Sequence, residues 1–255
     1  MEKREPVIEV EDLTVRYGDN VVLSDVSFTV EKGEIFVIAG PSGCGKSTLL
    51  RHMIGLETPE AGRIVINGVD TTEIDEDEMR RLRRGIGMLF QGSALFGSMT
   101  VGENVALALT EFTDLSGKAV EDIVKMKLGM VELSGYDNHL PSELSGGMKK
   151  RAGIARAMAL EPATLFLDEP SAGLDPITAA ELDTLIKKIN IGIGTTMVIV
   201  THELETILNL SQRIIMLDKN TKGIIAEGNP RELKERSGDP RVSNFFNRQA
   251  DQKKM

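Results

Sequence analysis

The chain has 255 residues, with 30 Lys+Arg against 39 Asp+Glu, a formal net charge of −9, one cysteine and no tryptophan. At roughly 150 residues per domain this is one large domain or two modest ones, and 41% hydrophobic with 27% charged residues is the balance of a soluble globular protein. One cysteine excludes an internal disulfide, no Cys/His cluster has zinc-ligand spacing, and net acidity argues against a broad nucleic-acid-binding surface. Met1 is followed by Glu2, Lys3, Arg4, Glu5 and Pro6, so no secretory leader is expected. The apolar runs over residues 35–39 and 197–200 fall far short of the roughly 20 residues that cross a bilayer. These features predict a cytosolic, reduced protein.

Residues 7–15 and 21–30 are rich in β-branched side chains that partly alternate, which predicts two strands joined by a hairpin connection at Tyr17-Gly18-Asp19-Asn20. Residues 35–39 are wholly apolar, as in a strand buried on both faces, and run into a glycine-rich turn. Residues 46–56 have helical composition. Residues 64–68 read as strand and turn, 75–84 as a charged helix and 85–90 as a strand. On that charged helix Asp75, Glu76, Asp77 and Glu78 precede Arg80, Arg81, Arg83 and Arg84. Such an order complements the helix macrodipole and marks a solvated face rather than a basic binding patch. Residues 101–109 and 117–133 are helical in pattern with no strand between them, so about 98–158 reads as an all-helical insertion. Helices are then predicted at 148–160, 178–190 and 203–210, and strands at 164–167, 196–200, 213–217 and 224–227. Asn229, Pro230 and Glu232 read as a helix start. The alternation predicts an α/β fold with a mostly parallel sheet covered on both faces, in one domain over residues 1–255. In the tail, from about 240 to 255, Val242, Phe245 and Phe246 form one apolar face. It must dock either on its own domain or on a second subunit.

The chemistry concentrates in a few segments. Gly40, Pro41, Ser42, Gly43, Cys44, Gly45, Lys46 and Ser47, followed by Thr48, make a complete G-x-x-x-x-G-K-S phosphate loop between a predicted strand and a predicted helix. Its glycines let backbone N–H groups turn toward phosphate oxygens, Lys46 supplies positive charge to the β- and γ-phosphates, and the Ser47 hydroxyl suits Mg²⁺. A second apolar strand ends in Asp168 and Glu169, which suit a Mg²⁺ shell and a general base for an attacking water. Between these segments Ser145 reads as an N-cap followed by Gly146 and Gly147, a ready anion site. Cys44 lies beside Lys46 and a helix N-terminus, which predicts a thiol that favours the thiolate. His52 and His139 lack partners at ligand spacing and read as structural. Met126, Met130 and Met148 read as packing or surface residues.

The order of phosphate loop, Gln91 after a strand, helical insertion, Leu144-Ser145-Gly146-Gly147, Asp168-Glu169, Leu174-Asp175 and His202 after a strand resembles that of the ATP-binding cassette ATPases over nearly the whole chain. The resemblance implies a RecA-like parallel core with an N-terminal antiparallel β subdomain and an all-helical insertion. It implies that Tyr17 stacks on adenine and that Gln91 senses Mg²⁺ and water. Ser145, Gly146 and Gly147 would cap the γ-phosphate bound by the opposite subunit. Asp175 would couple the two sites, and His202 would hold the γ-phosphate. ATP and Mg²⁺ are the implied ligands, sandwiched in a head-to-tail homodimer. The runs over residues 87–101 and 140–151, with Met148 in the signature where most cassettes carry glutamine, resemble the ATPases of lipid-asymmetry (Mla) systems and of relatives serving permeases with MCE-domain partners. That implies a peripheral subunit at the cytoplasmic face of a bacterial inner membrane. It would energise a separate transmembrane permease, with an MCE-domain protein and a small accessory subunit as further partners and no nucleic acid. An importer of amino acids or other small solutes, and a soluble ATPase such as an iron–sulfur cluster assembly factor, are the alternatives.

Overall fold

The computed structural model describes residues 5–249. Contacts divide the described residues into two compact units, 5–79 with 198–249 and 80–197.

In the first unit, alternation of apolar side chains builds an antiparallel sheet from Pro6–Tyr17 (β1), Asn20–Glu31 (β2), Ala61–Ile66 (β4) and Val69–Asp70 (β5), in the order β2-β1-β4-β5. Ile8 and Val10 are buried, and so are Leu13 and Val15, so the inward face changes parity along β1. The register shifts between Val10 and Leu13, at Asp12, whose φ of 48° marks a bulge. The Asp12 N–H donates to Ser27 Oγ at 2.8 Å, and that hydroxyl returns a bond to Asp12 Oδ1 at 3.0 Å. This bulge is why the alternation is only partial in the sequence. Every residue of Ile35–Ala39 (β3) is buried. It pairs in parallel with Arg213–Asp218 (β9), with Phe36 opposite Arg213 and Ala39 opposite Met216. Gly223–Gly228 (β10) joins the far side of β9 antiparallel. Lys46–Met53 (α1) follows the glycine turn after β3, and Leu204–Leu210 (α7) lies in the same unit.

Arg213 ties these pieces together. Its guanidinium donates to both Glu34 oxygens at 3.0 Å, to the Thr29 carbonyl at 2.7 Å and to Glu227 at 2.7 Å. It also lies 4.9 Å over the Phe36 ring, which stacks on Phe28 at 5.3 Å. Asn229 caps Pro230–Arg236 (α8) as predicted, with Oδ1 accepting from the N–H groups of Arg231 and Glu232. The tail forms Pro240–Phe246 (α9), and Val242 and Phe246 are buried on their own unit. Arg241 on α9 donates to Asp218 at 2.8 Å and to Thr221 at 2.6 Å. Of the predicted apolar face, Val242 and Phe246 pack within the chain while Phe245 is half-buried, and residues 250–255 of the tail lie outside the described residues.

In the second unit, Ile86–Leu89 (β6) and Thr164–Asp168 (β7) pair in parallel, Ile86 opposite Thr164. Val101–Phe112 (α3), Gly117–Met130 (α4) and Gly146–Ala157 (α5) pack on one another. Thr100 and Glu103 form a capping box at the start of α3. The long Pro176–Ile193 (α6) ends at Gly194, in the left-handed conformation, whose N–H returns to the Asn190 carbonyl at 2.8 Å. Glu76–Arg84 (α2) and Thr196–Thr201 (β8) carry the chain between the units. No helix among the described residues is long and apolar enough to cross a membrane.

Because Glu34 is only 4% exposed, removing the Arg213 charge leaves a carboxylate buried without its main partner. Breaking a buried pair costs about 3–5 kcal/mol, and partial exposure of Arg213 brings the expected loss to about 2–3 kcal/mol. Thermal melting of Arg213→Met should show a clearly lowered Tm, and Glu34→Leu/Arg213→Met should recover part of it. A single variant that melts with the wild type would refute this role.

Candidate functional site

The phosphate loop leaves β3 where a strand buried on both faces must give way to a helix. Gly40 has φ 145°, and a Cβ there would lie 2.5 Å from the Leu217 carbonyl oxygen and 2.7 Å from Cys44 Sγ. Only glycine fits between β9 and the loop at this point. Gly43 and Gly45 also have positive φ, 78° and 101°. Lys46 is buried, and its ammonium donates to the loop's own carbonyls, Gly40 at 2.8 Å and Pro41 at 3.1 Å. Ser47 is exposed in the first turn of α1, and Thr48 is buried beside it. The loop thus presents a helix N-terminus, a hydroxyl and a lysine held by weak neutral acceptors that an anion can displace.

Two other candidates lie in the first unit. Tyr17 is 46% exposed, and its hydroxyl donates to Glu57, which also pairs with Arg51 of α1 at 2.9 Å. Burial and the Glu57 bond hold the phenol above its ordinary range, so it stays protonated with its ring face available. His202 follows β8, half-exposed, with Nε2 3.7 Å from Glu203 Oε1. His52 is buried and bonded through Nδ1 to the Thr48 carbonyl at 2.8 Å, a structural role as predicted.

The second unit carries the remaining candidates. Asp168 ends β7 and Glu169 follows it, 7% exposed and at φ 47°. Gln91 is exposed just beyond β6. The Ser145 hydroxyl caps α5 by accepting from the Met148 N–H at 3.2 Å. Gly147 must lack a side chain, because a Cβ there would lie 2.5 Å from Thr178 Cγ2 on α6. Asp175 caps α6: Oδ1 accepts from the N–H groups of Ile177 and Thr178, and Oδ2 from the Thr178 hydroxyl at 2.6 Å. Those bonds, led by the Thr178 hydroxyl, hold its carboxyl below the usual range. Asp175 is therefore ionised and fixed in place.

Sequence reasoning missed the side chains that hold these loops. Lys150 donates to the carbonyls of Gln91 and Glu169, the latter at 3.0 Å. Asn104 is fully buried and ties residues 96–100 to α3, accepting from the Phe96 N–H and donating to the carbonyls of Phe96, Met99 and Thr100. Their only trace in the sequence is the basic run Lys149-Lys150-Arg151 on α5, which does not single out Lys150.

Comparison with known proteins bears on the same segments. Residues 23–172 match the protein family described as ABC transporter. A probable ribonucleotide transport ATP-binding protein mkl of Mycobacterium tuberculosis (strain ATCC 25618 / H37Rv) is 42% identical over 240 residues, covering 94% of this chain and 66% of that protein. A methionine import ATP-binding protein MetN of Brucella abortus (strain 2308) is 41% identical over 225 residues, covering 88% of this chain and 60% of that protein. The chain therefore spans slightly under two thirds of the length of these relatives. Among solved structures, the dimeric post-hydrolysis state of the ATP-binding cassette MJ0796, bound to ADP and Pi, superimposes with a TM-score of 0.79. It is 33% identical and covers 87% of this chain and 98% of that one.

The thiolate expected at Cys44 is overturned. Cys44 is buried, and burial pushes its thiol up, with the Lys46 charge opposing it only in part. Iodoacetamide at pH 7.5 should label native Cys44 at least about tenfold more slowly than glutathione and label it freely in urea. Native labelling at the glutathione rate would show a reactive thiol. Once attached, the adduct should block nucleotide binding by bulk, which nucleotide binding to the labelled protein would disprove.

Proposed function

The chain belongs to the ABC transporter family as one of its ATPase domains, and we propose that it hydrolyses ATP to energise a separate permease of a bacterial lipid-transport complex. The observation that carries the ATPase reading is the phosphate loop at the exit of β3, with Lys46 held over the carbonyls of Gly40 and Pro41. In this reading the β- and γ-phosphates displace those carbonyls from Lys46, because a charged acceptor binds an ammonium more strongly than a neutral one. Loop N–H groups within residues 40–48, Pro41 having none, hold the phosphates, and the Tyr17 ring takes the adenine face. Glu169 accepts a proton from the attacking water, and Gln91 and His202 orient water and γ-phosphate. Ser145, Gly146 and Gly147 serve the nucleotide of a second copy in a head-to-tail dimer, and Asp175 links the two sites.

The donor chemistry fits Mg²⁺. It takes hard oxygen ligands and keeps several water or phosphate oxygens, and Ser47, Gln91 and Asp168 supply oxygens of that kind. Among the described residues no cluster of three or more His, Cys, Asp or Glu forms a closed metal cage. When bound, the ion neutralises charge developing on the β- and γ-oxygens.

Support for a lipid cargo comes from the residue runs 87–101 and 140–151 and from Met148. On this reading the chain is a peripheral subunit at the cytoplasmic face of the inner membrane. It partners an MCE-domain protein and a small accessory subunit, and residues 98–158 pass motion to the permease. The methionine-import relative favours a second reading, a small-solute importer.

Glu169→Gln should keep ATP bound and accumulate a dimer by sedimentation in Mg-ATP, whereas Lys46→Ala should lose ATPase activity. Wild-type turnover by Glu169→Gln would remove the base assignment. Affinity capture from detergent-solubilised membranes should recover a polytopic permease with an MCE-domain protein. A solute-binding protein in their place would favour the importer, and a wholly soluble set of partners would reject transport.

A further inference from the structure

The signature helix α5 does more than present Ser145, Gly146 and Gly147 at its N-terminus. One face of it carries Lys150, Gly153 and Arg156, and each engages the backbone of a loop that holds a candidate site residue. Lys150 is 5% exposed, and its ammonium bridges the carbonyls of Gln91 and Glu169. A Cβ on Gly153 would lie 2.6 Å from Leu89 Cδ1 and 3.5 Å from the Ser93 carbonyl oxygen, so the missing side chain lets the Gln91 loop lie against the helix. Arg156 donates to the carbonyls of Ser93 at 2.8 Å and Ala94 at 2.5 Å. Both ends of this face meet backbone in the left-handed region, with Ser93 at φ 62°, Ala94 at 49° and Glu169 at 47°. Non-glycine residues hold such conformations only where their surroundings over-determine them.

A buried ammonium is costly unless its donors are used. Burial holds the Lys150 ammonium below its ordinary range, while the carboxylates of Asp168 and Glu169 favour its charge. Lysine serves here by reach: one side chain spans the carbonyls of two loops 78 residues apart in the chain.

We propose that Lys150 is a positioning residue that locks the backbone of Gln91 to that of Glu169, so that the water-orienting amide and the base hold one fixed spacing and both move with α5. Arg156 secures the next turn of the same loop. The proposal rests on the reading of Gln91 and Glu169 given above and adds the element that sets their relative position.

The test compares ATPase kinetics, binding of a fluorescent ATP analogue and thermal melting for the full chain and for Lys150→Met, Lys150→Arg and Glu169→Gln. Both acceptors of the buried Lys150 ammonium are backbone carbonyls, so Lys150→Met should lower kcat about 30-fold or more while KM and analogue affinity stay within about threefold. Lys150→Arg keeps a charge and several donors and should recover at least about a third of the wild-type kcat. Adding Lys150→Met to Glu169→Gln should lower the residual rate no further, because the base it positions is already gone. A kcat for Lys150→Met within threefold of wild type overturns the proposal, as does a rise in KM matching the loss of kcat. Loss of cooperative melting by Lys150→Met together with failure of Lys150→Arg to restore turnover also overturns it, since Lys150 would then be a folding residue. Wild-type turnover by Glu169→Gln strikes instead at the underlying assignment of the base, so the two failures read out separately.

Discussion

The first unit depends on how β3 is held at its two ends. At its start the Arg213 guanidinium gathers Glu34, the Thr29 carbonyl and Glu227, and covers Phe36. At its finish Gly40 passes the Leu217 carbonyl at a distance no side chain tolerates. The strand is thus clamped against β9 by a charged network at one end and by steric necessity at the other. The phosphate loop begins where that second constraint applies. A loop whose N–H groups must already face an anion cannot be left to fluctuate, because ordering it on binding would cost roughly 1–2 kcal/mol for each residue fixed. Burial of all five residues of β3 places that ordering cost in folding.

The second unit meets the same requirement by other means. Its critical backbone bends at Ser93, Ala94 and Glu169, residues that bear side chains and yet adopt left-handed φ. Glycine would remove the strain, but glycine at 169 would also remove the carboxylate. Here the strained carbonyls accept from long cations on α5, and Asn104 secures the stretch that follows. Where the turn needs no side chain, glycine suffices. Where a residue bearing a side chain occupies the bend, an external donor holds it.

That difference explains what could be read from the amino-acid sequence. The strands at 35–39 and 213–217, the glycine turn, the Asn229 cap and the helices near 101–109 and 117–133 rest on local patterns, and each appears within a few residues of its expected span. The parity change at Asp12 escaped because a bulge inserts one residue without altering composition. Arg213, Lys150 and Arg156 escaped because their partners lie far away in the chain, 179 residues for Glu34 and Arg213 and 59 for Lys150 and Gln91. Most of those partners are carbonyls, which carry no residue signature. Cys44 misled for a related reason. Its neighbours in sequence, Lys46 and a helix N-terminus, favour the thiolate, while the burial that outweighs them comes from the packing of the folded unit.

The tail reaches the edge of the phosphate loop. Phe245 of α9 and Pro41 of the phosphate loop line one cleft, along with Met216, Asp218 and Ile225. Val242 and Phe246 anchor α9 by burial, and the ion pair of Arg241 with Asp218 fixes its direction. Asp218 ends β9 one residue beyond Leu217, whose carbonyl excludes a side chain at Gly40. Through β9, therefore, one strand end meets the C-terminal helix on a charged side chain and the phosphate loop on a backbone oxygen. Seven helical residues would not hold a helix alone in water. They hold here because the surface they cover is the same strand end that shapes the turn at Gly40.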